Sequence, residues 1–170
     1  GNGSDGSATL SGTDAPIDSS CSGTAAATSL SATNASFAAG QIILIHQTRG
    51  TGVGQWEINK ISSGGGGVNI TLQVALNYTY TDSGASQAQV IKIPMYTTIT
   101  VQTSTWFLTA WDGNTGGFLP LAASVSFTGN TPIDGESAGH IGGVTSTGNG
   151  QKPSGSGSAG GPLNQTTANG

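Results

Sequence analysis

The carboxylates are the first side chains in this sequence that could do chemistry. Asp112, Asp134 and Glu136 fall within one stretch of a chain that has only eight acidic residues. Two carboxyl groups about 5 to 9.5 Å apart can cleave a glycosidic bond, one as the acid and the other as base or nucleophile. Nothing in the spacing of these three fixes such a separation. Each also belongs to an Asp-Gly or Asp-Gly-Glu turn, where an acidic side chain accepts bonds from nearby backbone, and that plainer reading is preferred.

The other candidates are weaker. His46 ends an apolar run, His140 sits among glycines and Cys21 is far from both in sequence, so neither a metal set nor a nucleophilic triad has the spacing it needs. A structural role is the reading for His46. Cys21 has no second cysteine to pair with, which leaves it incidental or, in an oxidising compartment, a bridge between chains. Asp112-Gly-Asn114-Thr-Gly116 partly echoes a calcium loop but lacks the later ligands and the closing Glu. Gly50-Thr-Gly52-Val-Gly54 leads into Trp56-Glu57-Ile58 at strand period rather than into a helix, so it is no phosphate cradle.

Asn2, Asn34, Asn69, Asn77 and Asn164 each begin a glycan-acceptor triplet, a pattern expected by chance in a chain so rich in Asn, Ser and Thr. Tyr78, Tyr80, Trp106 and Trp111 could stack on sugar rings. Core packing is the preferred reading for the tryptophans. No catalytic, cofactor-binding or metal-ligating set is therefore assigned, and no cofactor is expected.

Composition points the same way. Charged residues make up 7% of the chain, against about 25% in an ordinary domain. Hydroxyls and amides must supply the solubility, as suits an exported surface rather than a cytosolic enzyme. Arg49, Lys60, Lys92 and Lys152 stand against eight acids, which leaves no basic patch to displace counterions from nucleic acid. No apolar run reaches the 18 or so residues of a membrane span. Gly1 begins without Met or a signal peptide, so the chain is expected to be a mature or excised product.

The elements that would position these residues are all strands. Gln41 to His46 is apolar on both faces and reads as a buried strand. Trp56 and Ile58 alternate with Glu57 and Asn59, which predicts a half-buried strand with the large apolar pair inward. Val68, Ile70, Leu72 and Val74 alternate strictly with polar residues, and Gln89 to Ile93 forms a further strand ended by Pro94. Beyond it come very short runs: Ile99 to Val101, Trp106 to Thr109, Phe118 to Leu121 and Val125 to Phe127. Such short strands bury one another when stacked as rungs, the logic of a β-solenoid.

Residues 1–36 carry Leu10, Ile17 and Leu30 as their only large aliphatics. That segment can add edge strands near Ala8 to Leu10 and Ala27 to Leu30 but cannot close a core alone. Residues 37–134 form the β-rich core domain, and 135–170 a glycine-rich tail that needs something else to order it.

From Phe37 to Lys60 the chain resembles a family of large, mostly uncharacterised bacterial surface or secreted glycine-rich proteins. Their repeated phrase is close to F-A-x-G-D-x-[IV]-L-I-x-Q-x-x-G-T-G-x-G-x-[WY]-E-x-N. The likeness continues through Gln89 to Tyr96, Trp111 to Gly117 and Gly139 to Gly143, and covers about residues 28–170. It implies an exported β-helix-like architecture and brings no assigned catalytic residue. Gln41 stands where the family has an acid, and His140-Ile141 where it has an aromatic-basic pair. In the family the motif resembling Thr167 to Gly170 runs on into further domains, so a fragment or a short relative is expected.

The sequence thus predicts an all-β protein: a short-stranded β-solenoid or β-helix-like module with an inserted small antiparallel unit and a glycine-rich tail, the alternative being a β-sandwich or jelly roll. The expected role is a non-enzymatic extracellular or cell-surface structural subunit, whose copies join into a fibre or layer by strand or tail complementation. The alternative is a carbohydrate-binding adhesin or a tailspike-like polysaccharide-cleaving protein. Its partners would be copies of itself and surface polysaccharide, with no nucleic acid and no membrane span.

Overall fold

Alternating apolar residues and glycine turns give nine strands in the computed structural model, which describes residues 2–12, 16–34, 36–64, 69–106 and 109–129. In chain order they are β1 (Ala8–Gly12), β2 (Asp18–Ser22), β3 (Ser29–Ala32), β4 (Ile42–Arg49), β5 (Trp56–Ser63), β6 (Asn69–Leu72), β7 (Gln87–Ile93), β8 (Met95–Trp106) and β9 (Ala122–Gly129). The fold class is all-β. Six strands close into an antiparallel barrel in the order β2-β3-β6-β5-β4-β7, and the other three form a parallel sheet in the order β1-β8-β9.

The two parts are nested. Parallel neighbours need a long crossover, and the crossover between β1 and β8 is the whole barrel. The sheet is begun before the barrel folds in and finished after it. Its small core is Leu10, Ile99 and Val101, with Leu119 and Leu121 packed against them.

Inside the barrel lie Cys21, Leu30, Ala32, Phe37, Ile43, Ile45, Ile61, Ile70, Leu72, Leu76, Tyr80, Ala88 and Val90. Each large aliphatic or aromatic buried there contributes about 1.5–3 kcal/mol over leaving it exposed. β2 and β3, from the polar N-terminal stretch, are barrel staves rather than edge strands. β2 pairs with β7 and β3, and β3 pairs with β6. A closed barrel has no edge, so the Ala27 to Leu30 region is corrected from edge to interior, and Leu30 is fully buried.

Two further expectations change. β5 lies where alternation predicts it, but with its faces reversed: Glu57, Asn59 and Ile61 are buried, while Trp56 and Ile58 are 59% and 58% exposed. Register decides this, because β5 pairs with β4 so that Ile45 opposes Glu57 and Ile43 opposes Asn59, and opposed residues share a face. The buried polar pair is satisfied by loop backbone. Glu57 accepts from the Asn77 amide N–H and side chain, and Asn59 exchanges bonds with Val74 N–H and C=O.

The stacked strands are also longer than their apolar runs suggest. β8 has twelve residues and β9 eight, since Thr-rich stretches extend the pairing, while Phe118 to Leu121 is not a strand. Val74 lies beyond the end of β6 and is exposed.

Buried amide side chains fix the loops. Gln47, fully buried, donates to the carbonyls of Arg49, Thr81 and Gln87 and accepts from Thr81 N–H. Outside the barrel, Gln89 donates to Gly116 C=O and accepts from Gly116 N–H, at 3.3 and 3.0 Å. Only glycine suits position 116: its φ is +92°, and an added Cβ would collide with the Ala110 carbonyl.

Gln47→Leu keeps the volume but strands the Thr81 N–H in the interior. We expect it to lower unfolding free energy by roughly 2–3 kcal/mol, measured by urea denaturation. A loss below about 0.5 kcal/mol would mean that water replaces the amide.

Candidate functional site

β2 reads Asp-Ser-Ser-Cys-Ser, a poor strand by propensity, and backbone pairing on both sides holds it extended. Ser19 and Cys21 point into the barrel, while Asp18, Ser20 and Ser22 point out. The Ser19 hydroxyl accepts from Thr33 N–H at 2.7 Å and Asn34 N–H at 3.1 Å, and donates to Ser20 C=O. This pins the turn after β3 beside the strand. Asn34 adds a bond from its amide to Asp18 C=O.

Two polar hollows flank the outer face of β2. The first, of about 470 Å³, is lined by Asp18, Ser19, Ser20, Thr33, Asn34, Asp112, Asn114 and Thr115. The second, of about 460 Å³, is lined by Ser22, Gly23, Thr24, Ala27, Ser29, Ser31, Asn69 and residues 79–83. One buried residue behind them bonds to a lining residue of each. The buried Gln87 amide donates to Ser20 Oγ at 3.0 Å in the first and to Asp82 Oδ1 at 2.7 Å in the second. Neither hollow is lined by a Lys or Arg.

Asp112 is the one carboxylate of the three sequence candidates within the described residues; Asp134 and Glu136 lie outside them. It is a turn former, as the plainer reading held: its Oδ1 accepts from Asn114 N–H at 2.7 Å and Thr115 N–H at 2.8 Å. It also faces the first hollow together with Asp18, which sequence reasoning missed. Burial raises the Asp18 pKa above the ordinary carboxylate value, and the Asp112 charge raises it further, against the pull of its own backbone N–H. No sequence pattern could have paired residues 18 and 112, because the barrel folds between them.

Of the remaining candidates, Asn34 lines the first hollow and Asn69 and Tyr80 the second, while the others are placed elsewhere. Cys21 is a free thiol sealed inside the barrel, its pKa pushed up by burial, which corrects the reading of a bridge between chains. His46 lies on the outer side of β4 with its ring edge-on to Phe118 at 5.2 Å. Tyr80 is core, with its phenol pushed up by burial and then by the Glu57 charge. Tyr78 packs edge-on against it and is 41% exposed. Trp111 is buried and Trp56 exposed. The side chain of Trp106 and the whole of His140 lie outside the described residues. Among the described residues no group of three or more His, Cys, Asp or Glu is placed to hold a metal ion, and no helix is long and apolar enough to cross a membrane.

Because its folded pKa lies above the unfolded value of 3.8, Asp18 binds its proton more tightly in the native state. The stability it lends is therefore fully present below the ordinary carboxylate range and is lost as pH rises through the raised pKa. Wild type should lose stability relative to Asp18→Asn as pH rises from below 3.8 through the raised pKa, seen in parallel thermal melts. A carboxyl NMR titration should show the Asp18 midpoint falling in Asp112→Asn. An unmoved midpoint would mean that the two acids do not sense each other.

No protein-family model matches the chain, and no curated protein matches it. Among solved structures it is similar to the tailspike protein gp49 from Pseudomonas phage LKA1, at 14% identity and a TM-score of 0.37, covering 61% of this chain and 19% of that one. It is also similar to the Gp54 tailspike of Acinetobacter baumannii bacteriophage AP22, solved in complex with A. baumannii capsular saccharide. There the identity is 16% and the TM-score 0.37, with 76% of this chain and 22% of that one covered. The chain spans about a fifth of the length of the tailspikes it matches.

Proposed function

We propose that the chain is a structural building block of an extracellular fibre or surface layer, joined to other copies by strand pairing at the β9 edge. One observation carries this reading. In the parallel sheet Ala8, Ile99 and Phe127 stand in one row, yet Ile99 is fully buried while Phe127 is 51% exposed and Val125, two residues before it, 73% exposed. The apolar row continues onto β9, which has one strand neighbour among the described residues.

Edge strands of this kind pair readily with another chain, and the scarcity of charge removes much of the repulsion between copies. The N-terminal strands pair within their own chain, so the donor segment in this reading comes from the glycine-rich tail, residues 135–170, of a neighbour. The three parallel strands then act as rungs that a β-solenoid lengthens. The chain is not an enzyme in this reading.

A second reading, a carbohydrate-binding surface protein, is favoured by the two polar hollows along β2. It gives contact to the barrel and attachment to the sheet, so the two readings are compatible.

Sedimentation of the intact chain should show association that grows with concentration. Val125→Lys with Phe127→Lys, or removal of residues 135–170, should abolish it while the far-ultraviolet spectrum of the barrel is kept. Monomers alone at high concentration would overturn the assembly reading.

A further inference from the structure

We propose that the two hollows beside β2 form one continuous binding track for a short oligosaccharide that carries no acidic group; this rests on the carbohydrate-binding reading above. Three features of the face converge on it.

The first is continuity. Asp18, Ser20 and Ser22 are successive outward positions of one strand, which spans about 13 Å from first to last. Asp18 and Ser20 line one hollow and Ser22 the other. The Gln87 amide beneath them bonds to a residue of each, which fixes Ser20 and Asp82 in place before any ligand arrives. A ligand lying along β2 therefore meets a prepared surface at both ends.

The second is the chemistry of the walls. Hydroxyls and amides both donate and accept, whereas carboxylates at neutral pH only accept, and accept strongly. That combination matches the adjacent hydroxyls of a sugar ring, which can donate a pair of bonds to a carboxylate and still accept from Ser, Thr or Asn. Apolar lining is scarce, so an apolar ligand or a hydrophobic peptide finds little surface to bury.

The third is charge. Asp18 and Asp112 face the first hollow and Asp82 the second, with no cation lining either. A uronic acid or sulfated glycan would set like charge against like in a partly desolvated place, which opposes binding. A neutral, N-acetylated or amine-bearing glycan meets no such opposition.

The test is an array of neutral, N-acetylated, amine-bearing, uronic-acid and sulfated oligosaccharides probed with the full chain, with hits confirmed by titration calorimetry. Binding should be confined to the members without acid. Ser22→Trp, which fills the junction of the two hollows, should weaken it at least tenfold, while Val53→Trp, at an exposed loop position away from both, should leave it unchanged.

A far-ultraviolet spectrum and thermal midpoint matching wild type show that the Ser22 variant is folded. If it is not, Ser22→Lys takes its place and should weaken amine-bearing ligands most. Strong binding of acidic members would overturn the charge selection. Binding that survives substitution of Ser22 would move the site elsewhere and leave the carbohydrate-binding reading standing. Silence across the whole array would overturn both.

Discussion

The structure depends on satisfying backbone polar groups with side-chain amides where strand pairing cannot reach. A closed barrel satisfies its own ladder, but the segments that cap its ends and run over its wall have no strand to pair with. Three of those segments meet a buried amide. Gln47 holds the loop at Thr81, Asn59 holds Val74, and Gln89 holds Gly116 by a reciprocal pair of bonds that imitates a β-bridge. An amide suits the task because it carries donor and acceptor side by side with no charge to desolvate. In a chain with this little charge it does what ion pairs do elsewhere, and Lys92–Asp5, at 2.9 Å, is the one ion pair found among the described residues.

That ion pair sits where the barrel meets the sheet. Asp5 accepts from Lys92 and from Met95 N–H, and although burial pushes its pKa up, these partners outweigh burial and lower it. Lys92 N–H also bonds to Ile17 C=O. The chain thus enters and leaves the barrel beside the same residues. This lets the barrel be inserted between two parallel strands without breaking their register.

Much of this was legible in the sequence. Period-2 alternation located β5 and β6, an apolar run located β4, the stretch ended by Pro94 located β7, and glycine turns located gaps between them. The short extended piece at Ala8 to Leu10 was expected as an edge strand, which β1 is among the described residues. What alternation could not give was the sign of β5. Trp56 and Ile58 are larger and greasier than Glu57 and Asn59, so composition alone turns the wrong face inward. The register with β4 and the loop backbone waiting to bond Glu57 and Asn59 decide otherwise. Nor could it show that β2 is a stave, because Ser and Cys at its inward positions signal nothing until β7 and β3 enclose them. The candidate site failed to show for the same reason. Asp18 and Asp112 are brought together by topology, and sequence distance hides topology.

The two parts of the molecule solve the edge problem in opposite ways, and this bears on function. The barrel closes on itself, so its outer face presents side chains and not unpaired backbone. Its hydroxyls and amides can then meet a polyol without inviting another strand. Among the described residues the parallel sheet does not close. Its last strand carries an apolar row outward that these residues leave half uncovered. A protein that had to recognise a hydrated ligand and also join a larger structure would need both kinds of surface, kept apart. Nesting the barrel within the sheet keeps them apart, since all six barrel strands lie between β1 and β8 in the chain.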